Sequence, residues 1–170
     1  MQTLVYLVGF MASGKTKIGK KIAKKIGYQF IDLDQKISEK INMSIADFFK
    51  SNTETDFRLI EQQCLIDTQN LQKTIVATGG GTPCFGDNMH IINTFGASIF
   101  IDVETKILVG RLKNETQNKK RPLLNNETDP QKLQTLVENM LSQRRPFYEK
   151  SHFSIQNTKH TADDIIKLLT

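Results

Sequence analysis

The stretch GFMASGKT, residues 9–16, fits the pattern G-x-x-x-x-G-K-[ST] of a phosphate-binding loop. In such a loop, glycines at the two ends allow successive backbone N–H groups to point inward at an anion. The apolar run before it, residues 4–8, predicts a strand, and the pattern after it predicts a helix whose N-terminal dipole adds to the anion site. A strand, this loop and a helix in that order predict an α/β protein that binds a nucleotide by its phosphates.

Two side chains of this phosphate loop are expected to have different roles. Lys15 can reach the β- and γ-phosphates, and the Thr16 hydroxyl can hold Mg²⁺. The residues expected to bind the nucleotide from the loop are Gly9, Ala12, Ser13, Gly14, Lys15 and Thr16. The alternative is a glycine-containing turn that binds no ligand, but the flanking strand and helix favour the phosphate loop.

Length and composition are those of one domain. The 170 residues can bury on the order of 70% of the surface that the unfolded chain exposes. No apolar run approaches the roughly 18 residues of a membrane span. The first apolar run ends at Gly9 and no basic segment precedes it, so we expect no secretory signal and a cytoplasmic protein.

A net charge of +5 suits an anionic ligand. Lysines recur at helical spacing after the phosphate loop, opposite a row of isoleucines, at Lys17, Lys20, Lys21, Lys24 and Lys25. This pattern predicts an amphipathic helix with a solvated lysine face rather than a nucleic-acid-binding stripe. The two cysteines and three histidines lack the spacing of a disulfide framework or a zinc site, so we expect reduced cysteines and no zinc.

Apolar strand patterns alternate with helical patterns along the chain. The predicted strands are residues 4–8, 29–31, 74–78, 98–102 and 153–155. This alternation predicts an α/β fold with three layers (α/β/α) around a five-stranded parallel sheet. Because ligands bind at the carboxyl ends of such strands, residues 9–16, 32–34 and 79–81 are expected to meet there.

Two segments depart from the alternation within the single domain, residues 1–170. Residues 33–70 are predicted to form a helical insertion, in which Ser51 and Glu54 have the spacing of a capping box. Residues 113–128 are polar and broken, which is typical of a lid or of a disordered segment. The following helix, which starts after Asp129, is expected to be interrupted at Pro146.

Three aspartates near strand ends are candidates for chemistry. Asp32 and Asp102 each close an apolar strand, as a Mg²⁺-binding Walker B aspartate does, and Asp102 is slightly the better match on pattern. Asp34 is predicted to lie on the same side of a short extended segment as Asp32, because strand side chains repeat every two residues, and it could orient a substrate hydroxyl or accept its proton. The alternative for each is a helix cap.

Six pieces of sequence occur together in one order: residues 9–16, 32–34, 57–61, 78–81, 121–124 and 144–148. In this combination the chain resembles the shikimate kinase family over nearly its whole length. The resemblance implies the P-loop fold of nucleoside monophosphate kinases. It also implies ATP-dependent phosphorylation of the shikimate 3-hydroxyl in aromatic amino-acid biosynthesis.

The resemblance also assigns parts to individual residues. The implied shikimate-binding residues are Asp34, Phe57, Arg58, Gly79, Gly80, Gly81 and Arg144, with Glu61 holding Arg58. The implied catalytic residues are Lys15, Asp34 and Arg121, of which Arg121 is carried by the lid and also contacts the nucleotide. For Mg²⁺ the resemblance favours Thr16 and Asp32 over Asp102.

The expected ligands are ATP, Mg²⁺ and shikimate, with no nucleic acid or membrane as a partner and a monomeric chain. Asn114 departs from the family pattern, because it stands seven residues before Arg121, where an arginine associated with adenine is expected. Lys113 would replace that arginine only in part.

Two other functions remain open. The first is a P-loop kinase for another small hydroxyl compound, such as gluconate, or for a nucleotide. The second is a nucleotide-dependent switch, which the absence of the guanine-reading sequence N-K-x-D disfavours.

Overall fold

The computed structural model describes residues 3–117, 129–156 and 162–169. Its strands are β1 (Leu4–Val8), β2 (Gln29–Asp32), β3 (Thr74–Ala77), β4 (Ala97–Asp102) and β5 (Phe153–Gln156). They pair in parallel in the order β2-β3-β1-β4-β5. The predicted five-stranded parallel sheet is confirmed, and β1, which leads into the phosphate loop, lies at its centre.

Helices connect the strands. They are α1 (Lys15–Ile26), α2 (Leu33–Ile41), α3 (Ile45–Phe48), α4 (Glu54–Ile66), α5 (Asn88–Phe95), α6 (Thr105–Gln117), α7 (Pro130–Tyr148) and α8 (Ala162–Leu168), with a 3₁₀ turn at Thr82–Cys84. Every residue of β1 and β3 is buried, which requires helices on both faces of the sheet. Within the described ranges, no helix is long and apolar enough to cross a membrane.

Helix α1 has the predicted amphipathic form. Its lysines at 17, 20, 21, 24 and 25 are exposed, whereas Ile22 and Ala23 are buried. The helix ends at Gly27 in a left-handed conformation, and the Gly27 amide contributes to the cap by bonding the Ala23 carbonyl. The row of lysines is therefore a solvated helix face.

The capping box in the helical insertion was predicted at the wrong pair. It is formed by Thr53 and Asp56: the Thr53 hydroxyl accepts from the Asp56 amide, and the Asp56 carboxylate accepts from the Thr53 amide. The reason is that α4 begins at Glu54, so that the third helical residue, which completes a capping box, is Asp56.

Two helix ends also differ from the predictions. Helix α7 continues through Pro146 to Tyr148, so the predicted interruption is wrong. A proline in the last turn removes one hydrogen bond at most, and the Glu149 amide still bonds to the Arg145 carbonyl at 3.0 Å. Helix α6 continues to Gln117, so residues 113–117 of the predicted lid are helical. Residues 118–128, which include Arg121, lie outside the described residues.

Candidate active site

The phosphate loop has the backbone that its glycines predict. Gly9 and Gly14 have φ of 142° and 95°, and Gly14 caps α1. A Cβ on Gly9 would lie 2.8 Å from the Ile101 carbonyl oxygen of β4. Ala12 also has a positive φ, 60°, which costs an alanine about 1 kcal/mol. The loop thus bends tightly against β4 before it enters α1.

Lys15 lies inside the curve of this loop. Its Nζ donates to the carbonyl oxygens of Gly9 and Phe10, at 2.7 and 2.8 Å, and its side chain is buried. Ser13 Oγ lies 3.4 Å from the same nitrogen. The positive charge is therefore held next to the position that a phosphate bound by the loop would occupy.

Thr16 and Asp32 come together at the mouth of the loop. Thr16 Oγ1 donates to Asp32 Oδ2 at 2.8 Å, while Asp32 Oδ1 accepts from the amides of Asp34 and Gln35 and caps α2. Neighbouring ligands of an octahedral Mg²⁺, each about 2.0–2.1 Å from the ion, lie about 2.9 Å apart. The two oxygens thus have a spacing that suits Mg²⁺. Among the described residues no three acidic, histidine or cysteine side chains cluster, so this ion would also need phosphate or water ligands.

Asp102, the other candidate for Mg²⁺, is occupied by an ion pair. Arg145 donates to both of its carboxylate oxygens, at 3.1 and 2.6 Å, and this hydrogen bonding raises the pKa of Arg145. The pairing supports Asp32 as the metal ligand, the assignment that the family resemblance favours.

Asp34 is not on an extended segment, so the argument from strand periodicity is wrong. It is the second residue of α2, where the N-terminus of the helix favours a carboxylate. Its side chain nevertheless reaches the site, because a Cβ on Gly79 would lie 2.6 Å from Asp34 Oδ1. Asp32 and Asp34 therefore lie close together because one caps α2 and the other is in its first turn, not because they share a strand face.

The three glycines after β3, here called the glycine turn (residues 79–81), each face a different part of the site. Gly79 faces Asp34. A Cβ on Gly80 would lie 3.0 Å from the Met11 amide nitrogen of the phosphate loop. A Cβ on Gly81 would lie 3.3 Å from the guanidinium of Arg58. Side chains here would separate these parts, which explains the need for bare backbone.

Arg58, on α4, is held on three sides. Its guanidinium donates to Glu61 Oε2 at 2.9 Å and to Glu54 Oε1 at 2.9 and 3.2 Å, and it lies 3.5 Å from the centroid of the Phe85 ring. Glu61 is itself buried and accepts from the Thr82 hydroxyl at 2.6 Å. A guanidinium fixed in this way is prepared to bind a carboxylate through its planar edge.

Arg144 approaches the same region from α7. Its guanidinium carbon lies 5.7 Å from the centroid of the Phe10 ring on the phosphate loop. Burial raises the pKa of the Cys84 thiol, and the charges of both Arg144 and Arg58 oppose this rise. Phe57 is buried beside Arg58, with its ring 5.0 Å from that of Phe49.

Arg111, which none of the sequence patterns indicates, contacts the phosphate loop. From α6 its guanidinium donates to the Ala12 carbonyl oxygen at 2.9 Å. Asn114, the position found by counting back from Arg121, lies one helical turn later. The polar segment between Asn114 and Arg121 is the kind of loop whose length varies most easily. Counting forward from the end of β4 avoids that loop and is therefore the better way to locate the arginine.

Comparisons with known proteins identify relatives of this chain. The shikimate kinase family model matches residues 11–170. The shikimate kinase of Phocaeicola vulgatus is 39% identical over 149 residues, which cover 88% of this chain and 83% of the relative. That of Azobacteroides pseudotrichonymphae is 36% identical and covers 97% of this chain and 96% of the relative.

Solved structures give the same result. The crystal structure of shikimate kinase from Bacteroides thetaiotaomicron has a TM-score of 0.89 at 29% identity and covers 99% of this chain and 97% of its own. Shikimate kinase from Acinetobacter baumannii, in complex with shikimate, has a TM-score of 0.84 at 27% identity, with coverage of 98% and 90%. Together with a family model that matches nearly the whole sequence, these likenesses show that the chain belongs to the shikimate kinase family.

Proposed function

We propose that the chain transfers the γ-phosphoryl group of ATP to the 3-hydroxyl of shikimate, with a donor side at the phosphate loop and an acceptor side at the helical insertion. The observation that carries this division is the glycine turn, which touches Asp34, the phosphate loop and Arg58 at once. Such a turn suits a reaction in which two substrates must meet in line.

On the donor side, the loop amides and Lys15 bind the phosphates of ATP. Thr16 and Asp32 would hold Mg²⁺, which would neutralise charge on the β- and γ-phosphates. Arg111 faces the nucleotide from α6. It takes the role, associated with adenine, that the family pattern assigns to an arginine at position 114. Arg121 is proposed to balance charge on the transferring group when the lid, residues 113–128, closes and excludes water.

On the acceptor side, Arg58 and Arg144 hold the carboxylate of shikimate, and Phe57 lines the pocket. Asp34 orients the 3-hydroxyl and takes its proton as the oxygen bonds to the γ-phosphorus. The bond from that phosphorus to the bridging oxygen breaks, which yields shikimate 3-phosphate and ADP. The protein contributes positioning and charge, as phosphoryl transfer requires.

We also propose that residues 1–170 act as one monomeric domain in the cytoplasm, with residues 33–70 as the acceptor-binding insertion. The contacts described above support the single domain, because they join site residues carried by separate elements of the fold.

The experiment that tests the function compares acceptors. ADP release from Mg·ATP is measured in parallel with shikimate, gluconate, a nucleoside monophosphate and no acceptor. We expect turnover with shikimate and only background release without an acceptor. Turnover with gluconate or a nucleotide, and none with shikimate, would overturn the proposal.

The two-sided site predicts that Arg58→Lys affects the acceptor alone. Lysine keeps the charge but cannot contact Glu54 and Glu61 and stack on Phe85 at the same time. Losing a charge-assisted hydrogen bond worth about 1.5–3 kcal/mol corresponds to a rise of about tenfold or more in the KM for shikimate. Steady-state kinetics with each substrate varied in turn measure this.

The matched variant is Arg111→Lys, which makes the same change on the donor side. We expect it to raise the KM for ATP by about two- to tenfold, the worth of one ordinary hydrogen bond, and to leave the KM for shikimate unchanged. If both variants weakened both substrates equally, the division into two sides would be wrong.

A further inference from the structure

Tyr148, the last residue of α7, ties this helix to the glycine turn. Its side chain is fully buried, and its hydroxyl donates to the Gly80 carbonyl oxygen at 2.5 Å. Its ring packs on Phe100 of β4, with the ring centroids 5.3 Å apart. The hydroxyl therefore ties the glycine turn to the C-terminal end of α7, while the ring packs separately on the sheet.

The bond to Gly80 differs from the other hydrogen bonds of the turn. The carbonyls of Gly79 and Gly81 accept from the amides of Thr82 and Cys84, at 3.3 and 2.9 Å, within the same short stretch of chain. The Gly80 carbonyl is instead bound by a side chain 68 residues away. The local bonds shape the turn, and the bond from Tyr148 connects the turn to α7.

Tyr148 also stands next to the acceptor residues. Arg144 lies one helical turn before it on α7, and burial raises the pKa of Tyr148 while the charge of Arg144 opposes that rise. The phenol stays protonated near neutral pH and remains a donor. On its other side Gly80 abuts the Met11 amide of the phosphate loop. Contacts thus connect Tyr148, Gly80 and the phosphate loop, and Arg144 lies one turn from Tyr148 on the same helix.

We propose that Tyr148 is a positioning residue for the acceptor: its hydroxyl holds the glycine turn and Arg144 at a fixed place relative to the phosphate loop. This inference rests on the proposed function of those residues. Three successive glycines have no side chains to restrain them, so the turn needs an external tie. A displacement of about 1 Å in a reacting group can cost about a hundredfold in rate.

The test is Tyr148→Phe, with Tyr6→Phe as its matched control. Tyr6, in β1, is equally buried, and its hydroxyl shares a hydrogen bond of 2.6 Å with Thr68 Oγ1. Both variants lose one buried hydroxyl, so we expect similar falls in Tm. We expect Tyr148→Phe to raise the KM for shikimate and to lower kcat/KM for shikimate about tenfold, with the KM for ATP unchanged. Tyr6→Phe should change neither constant beyond about twofold, because its bond lies away from the site.

A third variant, Phe100→Leu, separates packing from the hydroxyl, because it removes the ring contact of Tyr148 and keeps the bond to Gly80. It should lower Tm and leave the KM for shikimate within about twofold. If Tyr148→Phe matched Tyr6→Phe in all constants, or if Phe100→Leu reproduced its kinetic change, the proposal would be wrong. Turnover of shikimate by the wild type tests the proposed function separately, so the two failures can be told apart.

Discussion

Lys15→Ala is expected to lower kcat by at least about a hundredfold, since removing one charge-stabilising donor from a catalytic site costs on the order of 2.7 to 4 kcal/mol. The reason lies in the position of Nζ, which is held by the Gly9 and Phe10 carbonyls inside the curve of the phosphate loop. A phosphoryl group in transfer carries charge on its equatorial oxygens, and a cation already fixed at that place stabilises it without rearrangement.

The control for this variant is Lys17→Ala on the same helix. Lys17 is exposed, so its loss changes the net charge by the same amount without removing a group from the loop. We expect kcat within about twofold of the wild type, since exposed charges act weakly through water. The measurement is kcat at saturating ATP and shikimate, with Tm recorded for both variants. A Lys15→Ala enzyme within about threefold of wild type would remove Lys15 from the mechanism.

The sequence predicted the sheet well because its strands have a strong physical signal. Strands β1, β3 and β4 are buried on both faces, so their sequences are nearly continuous apolar runs. Such short runs are easy to recognise. The sequence predicted the ends of the helices less accurately. Residues 51–54 and 53–56 both fit a capping box, and the pattern alone does not decide which residue begins α4.

The parts of the site that follow strand ends were also predictable. Parallel topology brings the phosphate loop, Asp32 and the glycine turn to one edge of the sheet, whatever the details of the connecting helices. The family resemblance added Arg58 and Arg144, which the pattern alone would have left as ordinary helix arginines.

The contacts that hold these residues in place could not be predicted. Arg111 and Ala12 are 99 residues apart in the chain, and Tyr148 and Gly80 are 68 apart. No periodicity links such pairs, because each contact depends on how two separately formed elements pack. The same holds for the Phe85 ring under Arg58, which follows from the path of the chain after the glycine turn.

Asp34→Asn is expected to lower kcat by about a hundredfold or more, within the range of about 10² to 10⁴ that a general base contributes. Asparagine fits the same space, so it preserves the close approach to Gly79, but it lacks the charge that accepts a proton. The KM for ATP should not change, because Asp34 lies on the acceptor side. The control is Glu39→Gln on the same helix α2, an exposed carboxylate whose loss should leave kcat within about twofold.

The size of the loss decides what Asp34 does. In a loose phosphoryl-transfer transition state the attacking hydroxyl bonds weakly, so it gives up its proton late and base catalysis contributes less than in acyl transfer. We therefore expect a loss nearer to about a hundredfold than to ten-thousandfold. If Asp34 only oriented the hydroxyl, the amide oxygen of asparagine would still accept the hydrogen bond, and kcat would fall by less than about tenfold. That smaller result would rule out proton acceptance by Asp34, because the geometry and the size of the side chain are unchanged between the two enzymes.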